Sequence, residues 1–475
     1  MLDACRRRHA VAHDAAGALA VSGTAPPRVV IVGAGPAGIR AAATLVEAGL
    51  HPVVVDEGHR AGGQIYRRPP DGFTRTPEQL YGSEAAKARA LHGLFDGLAT
   101  EGRLTHHLGS SVIAVHEGRL HVLGEGGLQL VSYDRLILAT GASDRVAPVP
   151  GWQSAGVYSL GAAQIALKAQ GVALGRRIVL VGSGPLLTLV GAQLVKAGAD
   201  VAAVLDTSPW NQQMRGFSRL AARPVVALRG LILRARLGRR YYAGVTLERI
   251  EADASGVTAL RWRDAGGREQ LTPCDMIGMG WHLRAETHLA DLVGCAFAYD
   301  EQWRQWLPKA DEMGRGGNGV YLAGDGVRLL GADGAEIAGR LAAAACLADL
   351  GYPAPAISAD LHKLKRLERF ARGLATAFPW PEAMARTLPN DVIVCRCENV
   401  TAGSIRESVE RGGGEANRVK SLSRVGMGRC QGRFCQLAAV ELVAAKAGCT
   451  TEAVGRFRGQ APVRPAPIAA FLREG

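Results

Sequence analysis

The sequence predicts an α/β protein with two parallel-sheet units and a small α-rich domain near its C-terminal end. Three observations carry this. A short apolar β-branched run leads into a glycine turn and a helix at Arg28–Val32, and the same succession recurs at Arg177–Val181. Four of the nine cysteines are patterned, at 395, 397, 430 and 435, while the others stand alone. Of the 475 residues 48% are apolar and 21% charged, enough to bury about two to four domain cores at roughly 150 residues per domain. The 61 glycines and 22 prolines show no three-residue period, which excludes collagen and points to tight turns. No run of 18 uncharged apolar residues occurs, so no membrane-spanning helix is expected.

The first unit is the more complete. Arg28–Val32 reads as a buried parallel strand, followed by Gly33-Ala-Gly35-Pro-Ala-Gly38, an Ala-rich helix over Ile39–Ala48, and a second strand, Pro52–Val55, ending in Asp56-Glu57. This context turns GxGxxG into a Rossmann-like dinucleotide fingerprint. Gly33 permits the tight turn, Gly35 lets backbone approach a pyrophosphate, and Gly38 lets helix pack on strand. The helix N-terminus offers free N–H groups to the phosphates. An acid ending the second strand would accept from the ribose hydroxyls, and spacing leaves Asp56 and Glu57 as alternatives.

In the second unit, Gly182-Ser-Gly184-Pro-Leu-Leu187 has leucine where the third glycine belongs. Val201–Leu205 leads to Asp206, a candidate ribose acid. The readings are an NAD(P)H domain and a structural remnant of one; the departure inside the motif favours the remnant. No CxxC occurs there, so disulfide reductase chemistry is unsupported.

The cysteines are spaced C-x-C, then C-x4-C. Asp391–Val394 reads as a strand delivering Cys395 and Cys397, Thr401 as the N-cap of a helix over Ile405–Arg411, and Leu437–Lys446 as a helix after Cys430 and Cys435. Arg396, Arg424, Arg429 and Arg433 would offset thiolate charge, and Gly426, Gly428 and Gly432 would let backbone N–H groups approach sulfur. Such a set suits an iron–sulfur cluster. Zinc is the alternative, though its pairs usually read C-x2–4-C.

Three further segments carry a family resemblance: Gly62-Gly63-Gln64-Ile65-Tyr66, Leu138-Ala-Thr140-Gly141 and Gly319-Val-Tyr-Leu-Ala-Gly324-Asp325. With the first glycine turn they resemble the two-dinucleotide-fold flavoproteins related to thioredoxin and glutathione reductases. The resemblance implies FAD at Gly33, Gly35, Gly38, Asp56 or Glu57, Gly63, Gln64, Thr140, Gly141, Gly324 and Asp325, with Asp325 on the ribityl chain. CRCE followed by GMGRCQGRFC resembles the [2Fe–2S] domain of the bacterioferritin-associated ferredoxin type, which implies the cluster on Cys395, Cys397, Cys430 and Cys435. The whole order is similar to the large FAD subunit of multi-subunit amino-acid and amine dehydrogenases, a group that includes the FAD subunits of opine oxidases, the α subunits of proline and hydroxyproline dehydrogenases and a hydrogen cyanide synthase subunit.

The organisation this implies is a flexible tail over 1–27, the FAD-binding domain over 28–150 and 281–350, and an NAD(P)-like fold with an Arg-rich insertion over 151–280. A helical linker over 351–390, the [2Fe–2S] domain over 391–455 and a tail over 456–475 follow. The implied function is electron relay: a second flavoprotein (β) subunit, with room for a small third one, oxidises a C–N bond, and this chain passes the electrons to an acceptor. The alternative is a self-sufficient NAD(P)H-dependent flavin and iron–sulfur reductase, but Leu187 and Trp281-His282 depart from the pattern of nucleotide reductases. No spacing marks a catalytic base or nucleophile; His106-His107 and Trp281-His282 read as loop and packing residues.

Net charge is +13, yet basic residues are scattered and aromatics reach only 5%, so nucleic acid is not an expected partner. One stretch stands out: between Asp206 and Glu248 there is no acid, and eight arginines lie from Arg215 to Arg240. It reads as a solvated face, with docking to an acidic partner or a membrane surface as the sharper alternative. The N-terminal residues lack the apolar core of a signal peptide, so a cytoplasmic place is expected, with peripheral attachment at the inner membrane face as its variant.

Overall fold

The structure is a computed structural model that describes residues 26–471. Nearly all of the expected N-terminal tail, including Cys5, lies outside the described residues.

The first sheet has six strands in the order Arg315–Gly317, Val320–Leu322, Arg135–Leu138, Val29–Val32, Val53–Val55, Thr105–His107. All neighbours are parallel except the outermost pair, Arg315–Gly317 with Val320–Leu322. Helices cover it, so Val29–Val32 is buried at every position and reads as an unbroken apolar run. The helix Pro36–Glu47 packs on Gly331–Asp349 almost backbone to backbone: a Cβ on Gly339 would lie 2.0 Å from the Ala37 carbonyl oxygen. His106 and His107 sit on the edge strand, not in a loop, with the His106 ring against Phe95.

The chain leaves this sheet at Leu138 and returns with Arg315–Gly317 and Val320–Leu322. In between it builds a second, all-parallel sheet in the order Tyr241–Ala243, Asp200–Asp206, Arg177–Ser183, Met276–Trp281, Val157–Ser159. Each unit also carries a three-stranded antiparallel meander, over Ser111–Ser132 and Thr246–Pro273. The acid-free stretch forms the helices Trp210–Arg215, Phe217–Leu220 and Pro224–Leu237. It is not uniformly solvated: Arg223 pairs with Asp333 and Arg229 with Glu84, while Arg215, Arg219, Arg236, Arg239 and Arg240 are exposed.

The C-terminal helices Ala402–Gly412, Ala416–Ser423 and Gln436–Ala447 stand behind a two-stranded ribbon, Ile393–Cys395 with Val400–Thr401. The Thr401 hydroxyl accepts from the Ser404 N–H at 3.2 Å, the N-cap the sequence predicts. Ile405, Val419, Leu442 and Val443 share one continuous core with Val179, Ile277 and Trp281 of the second sheet. Trp152 stitches the two together by donating its indole N–H to the Ile393 carbonyl at 2.5 Å. The last segment is tied down as well: Val463 is buried and its N–H donates to the Ile113 carbonyl, while Arg456 lies over the Phe297 ring and pairs with Asp291. Among the described residues no helix is long and apolar enough to cross a membrane.

Candidate functional site

At the C-terminal edge of the first sheet, sterics dictate the glycine turn. Gly33 has φ +110°, and a Cβ there would sit 2.3 Å from the Ala139 carbonyl oxygen. A Cβ on Gly38 would come within 1.7 Å of the Gly33 oxygen, so this glycine lets the helix seat on the turn. Gly35 differs: its nearest outside neighbour would be the Gly63 Cα at 3.7 Å. Gly63 lies opposite with φ +64°, so two bare backbones face one another where the helix begins. A pyrophosphate needs such an opening.

Asp56 and Glu57 separate in three dimensions. Asp56 Oδ2 accepts from the Ala34 N–H at 2.5 Å and Oδ1 from the Gly58 N–H at 2.6 Å, placing the carboxylate against the turn. Burial pushes its pKa up, and those two N–H groups partly offset this. Glu57 instead points to the C-terminal segment and pairs with Arg464. Gln64 is exposed, with its amide oxygen on Arg67. Thr140 donates to the Glu286 carbonyl at 2.7 Å, Gly141 has φ +68°, and Gly326 abuts the Thr140 hydroxyl. Gly324, φ +71°, touches Ala37, and Asp325 Oδ1 accepts from the Leu330 and Gly331 N–H groups at 2.8 and 2.9 Å. All the first-unit motifs thus meet at one sheet edge, beside two helix N-termini.

The second unit keeps the turn and fills the cleft. A Cβ on Gly184 would lie 3.0 Å from the His282 Nε2, so an imidazole stands directly against this turn. That ring packs edge-on against Trp303 and near Phe378 at 5.5 and 6.0 Å between centroids. Arg145, buried, stacks on Trp380 at 4.1 Å and donates to the Trp303 carbonyl. Asp206 accepts from Tyr241 Oη at 2.7 Å and the Ser208 N–H at 2.9 Å and, unlike the half-buried Asp56, has no exposed surface to offer a ribose. Burial lowers the His282 pKa to about 4, so the plug is a neutral ring near pH 7.

The four patterned cysteines come together as two pairs, Cys395 with Cys435 and Cys397 with Cys430. Among the described residues no three His, Cys, Asp or Glu side chains converge on one metal-ion position. A two-iron centre takes two thiolates at each iron. The Cys435 thiol, then the N–H groups of Gly426, Glu398 and Cys397, hold the Cys395 thiol down to about 6. Gly428 is obligatory: a Cβ there would be 2.3 Å from the Cys397 Cβ. The arginines do less than expected, because Arg424 pairs with Glu398, Arg433 with Glu286, and Arg396 lies over Trp152.

Sequence reasoning missed the junction between the two sites. The Glu286 carboxylate accepts from Arg433 at 2.6 and 3.1 Å and faces His288 Nδ1 at 2.6 Å. His288 Nε2 meets the Gln431 carbonyl at 2.9 Å, and Arg433 also donates to the Cys430 carbonyl. Burial pushes the Glu286 carboxyl up, but His288, Arg433 and Arg284 together hold it well below the usual range. No motif announces Glu286, His288 or Arg284; only Arg433 falls in a patterned segment.

Residues 27–338 match the pyridine nucleotide-disulphide oxidoreductase family, and residues 393–445 match the BFD-like [2Fe–2S] binding domain. The chain is 35% identical over 467 residues to an opine oxidase subunit of Rhizobium meliloti, covering 93% of this chain and 86% of that one. It is 30% identical over 472 residues to the hydrogen cyanide synthase subunit HcnB of Pseudomonas aeruginosa, covering 94% and 99%. In fold it is similar to the L-proline dehydrogenase structure from P. horikoshii, with a TM-score of 0.69 over 94% of this chain and 79% of that one at 20% identity.

Gly35→Val is expected to fold, because the site has room and φ is −80°, yet to purify without flavin, read as lost absorbance near 450 nm per chain. For the plug, the unfolded His282 takes up a proton before the folded one as pH falls from 6.5 to about 4. Stability should therefore drop by about 3 kcal/mol across that window, and His282→Phe should remove that part of the slope in denaturant titrations at several pH values.

Proposed function

The chain belongs to the pyridine nucleotide-disulphide oxidoreductase family, and from that premise we propose that it is the FAD- and [2Fe–2S]-containing electron-transfer subunit of a multi-subunit amino-acid, opine or amine dehydrogenase. A partner flavoprotein subunit oxidises the C–N bond, and this chain relays the electrons to an acceptor. The observation that carries the reading is the pairing of an open first turn with a filled second cleft. An electron carrier served by another subunit needs the first and has no use for the second.

Bound here, FAD supplies two-electron chemistry and the cluster one-electron chemistry. The chain's own residues would do the holding. The Gly33–Gly38 turn and Gly63 would leave room for the pyrophosphate, Asp56 would accept from the ribose hydroxyls, and Asp325 would bond the ribityl chain. Thr140, Gly141 and Gly324 shape the edge on which the ring system rests. Cys395, Cys397, Cys430 and Cys435 would ligate the cluster. Glu57, beside Asp56 and paired with Arg464, is the alternative ribose acid. The relatives' printed names, subunits of opine oxidase and hydrogen cyanide synthase, support a hetero-oligomer. The filled cleft speaks against self-sufficient NAD(P)H-dependent reduction.

Purification of the chain alone and with co-expressed candidate partners tests this. The single chain is expected to carry flavin, iron and sulfide, to resist bleaching by NADH, and to show negligible amine, opine or amino-acid dehydrogenase activity. Activity should appear only with a second flavoprotein subunit. Cys435→Ala should abolish the reduced-state EPR signal while retaining flavin. Rapid substrate turnover by the single chain, or fast reduction by NADH, would overturn the proposal.

A further inference from the structure

Arg284 is buried, and its Nη1 has no hydrogen-bond partner. It sits on the short strand Leu283–Ala285, opposite Ser143 on Ala142–Asp144, the strand that directly follows Thr140-Gly141. Cross-strand partners share a face, and the Ser143 hydroxyl is likewise buried without a partner. On the other side Arg284 lies within Coulombic reach of Cys430, Cys435 and Glu286. A buried guanidinium with an idle donor is costly unless negative charge stands nearby. Glu286 supplies part of that charge, but it is shared with Arg433 and His288. A cluster held on thiolates would supply the rest, and one-electron reduction would add one more negative charge to it.

We propose that Arg284 and Glu286, set between the Thr140-Gly141 turn and the cysteine loop, tune the reduction potential of the iron–sulfur centre in opposite directions, Arg284 raising it and Glu286 lowering it. The inference rests on the reading that Cys395, Cys397, Cys430 and Cys435 hold that centre. Both residues act through charge rather than ligation. A buried cation favours the more negative, reduced cluster, and a buried carboxylate disfavours it. Water is excluded around both, so their fields are poorly screened. Their place beside the flavin-type turn puts this control where electrons would pass between the two centres.

The test is a redox titration of the full chain, with mediator dyes giving one electron to each cluster and EPR reading the reduced form. Iron, sulfide and flavin are counted per chain for every variant. Arg284→Met is expected to lower the reduced-to-oxidised ratio at the wild-type midpoint by about ten-fold, equivalent to about 59 mV for a one-electron couple. Glu286→Gln is expected to raise it, and Arg284→Lys to stay near wild type. Shifts of both neutral variants in one direction, no shift with iron intact, or failure of Arg284→Lys to restore the potential would each overturn the inference. If Arg284→Met loses its iron, the lysine and glutamine variants decide by the same signs. A wild-type chain that binds no iron would defeat the cluster reading itself, and this inference with it.

Discussion

A single buried carboxylate holds three parts of this molecule in register. Glu286 receives Arg433 from the cysteine loop and faces His288, whose far nitrogen meets the Gln431 carbonyl of that loop. Its own main-chain carbonyl takes the Thr140 hydroxyl of the first unit. Arg464 of the last segment approaches the same carboxylate while pairing with Glu57. Removing one partner of such a pair would leave a buried charge uncompensated, at a cost of about 3–5 kcal/mol. The geometry between the flavin-type turn and the cysteines is therefore fixed by electrostatics as much as by apolar packing.

The second unit keeps the strand and glycine turn of a nucleotide fold while packing aromatic side chains close to that turn. Gly182 is still needed, because a Cβ would strike the Gly280 carbonyl at 1.8 Å, so the strand and turn persist for packing. Leu187 is fully buried in the core beneath the helix. Beside the turn His282 packs with Trp303 and Phe378, and Arg145 with Trp380; Phe378 and Trp380 come from the end of the Ser358–Ala377 helix and the loop after it. The linker thus serves as a wedge. The second sheet in turn shares its apolar core with the C-terminal domain.

What could be read from the sequence was what depends on local sterics. Gly33 and Gly38 are demanded by contacts within one strand–turn–helix unit, and the cysteines announce themselves by spacing. Pairing was not legible: Cys395 and Cys397 are neighbours in sequence yet face different partners, which only the chain path decides. Asp56 and Glu57 were indistinguishable by spacing, yet their carboxylates part: Asp56 turns to the Ala34 and Gly58 N–H groups, and Glu57 to Arg464, far along the chain. Asp206 sits where a ribose acid should, but Tyr241 and Ser208 already satisfy it. The Glu286 network draws on four separated segments, and Glu286 and His288 themselves lie in no pattern. Arg433 looked like a counter-charge for thiolates because its carboxylate partner lay beyond any sequence window.

The nesting of one sheet inside the other bears on how the chain comes to be folded at all. Val320–Leu322 pairs with Arg135–Leu138, so the first sheet cannot be completed on the ribosome until the entire inserted unit has emerged. The inserted unit has all its own strands by Trp281 and can close first, bringing the two halves of the outer sheet together. Four strands of the outer sheet are made before the insert, and its last two only after it. The unfinished outer sheet meanwhile presents an open edge at Arg135–Leu138, which makes it the part most exposed to misassociation during synthesis.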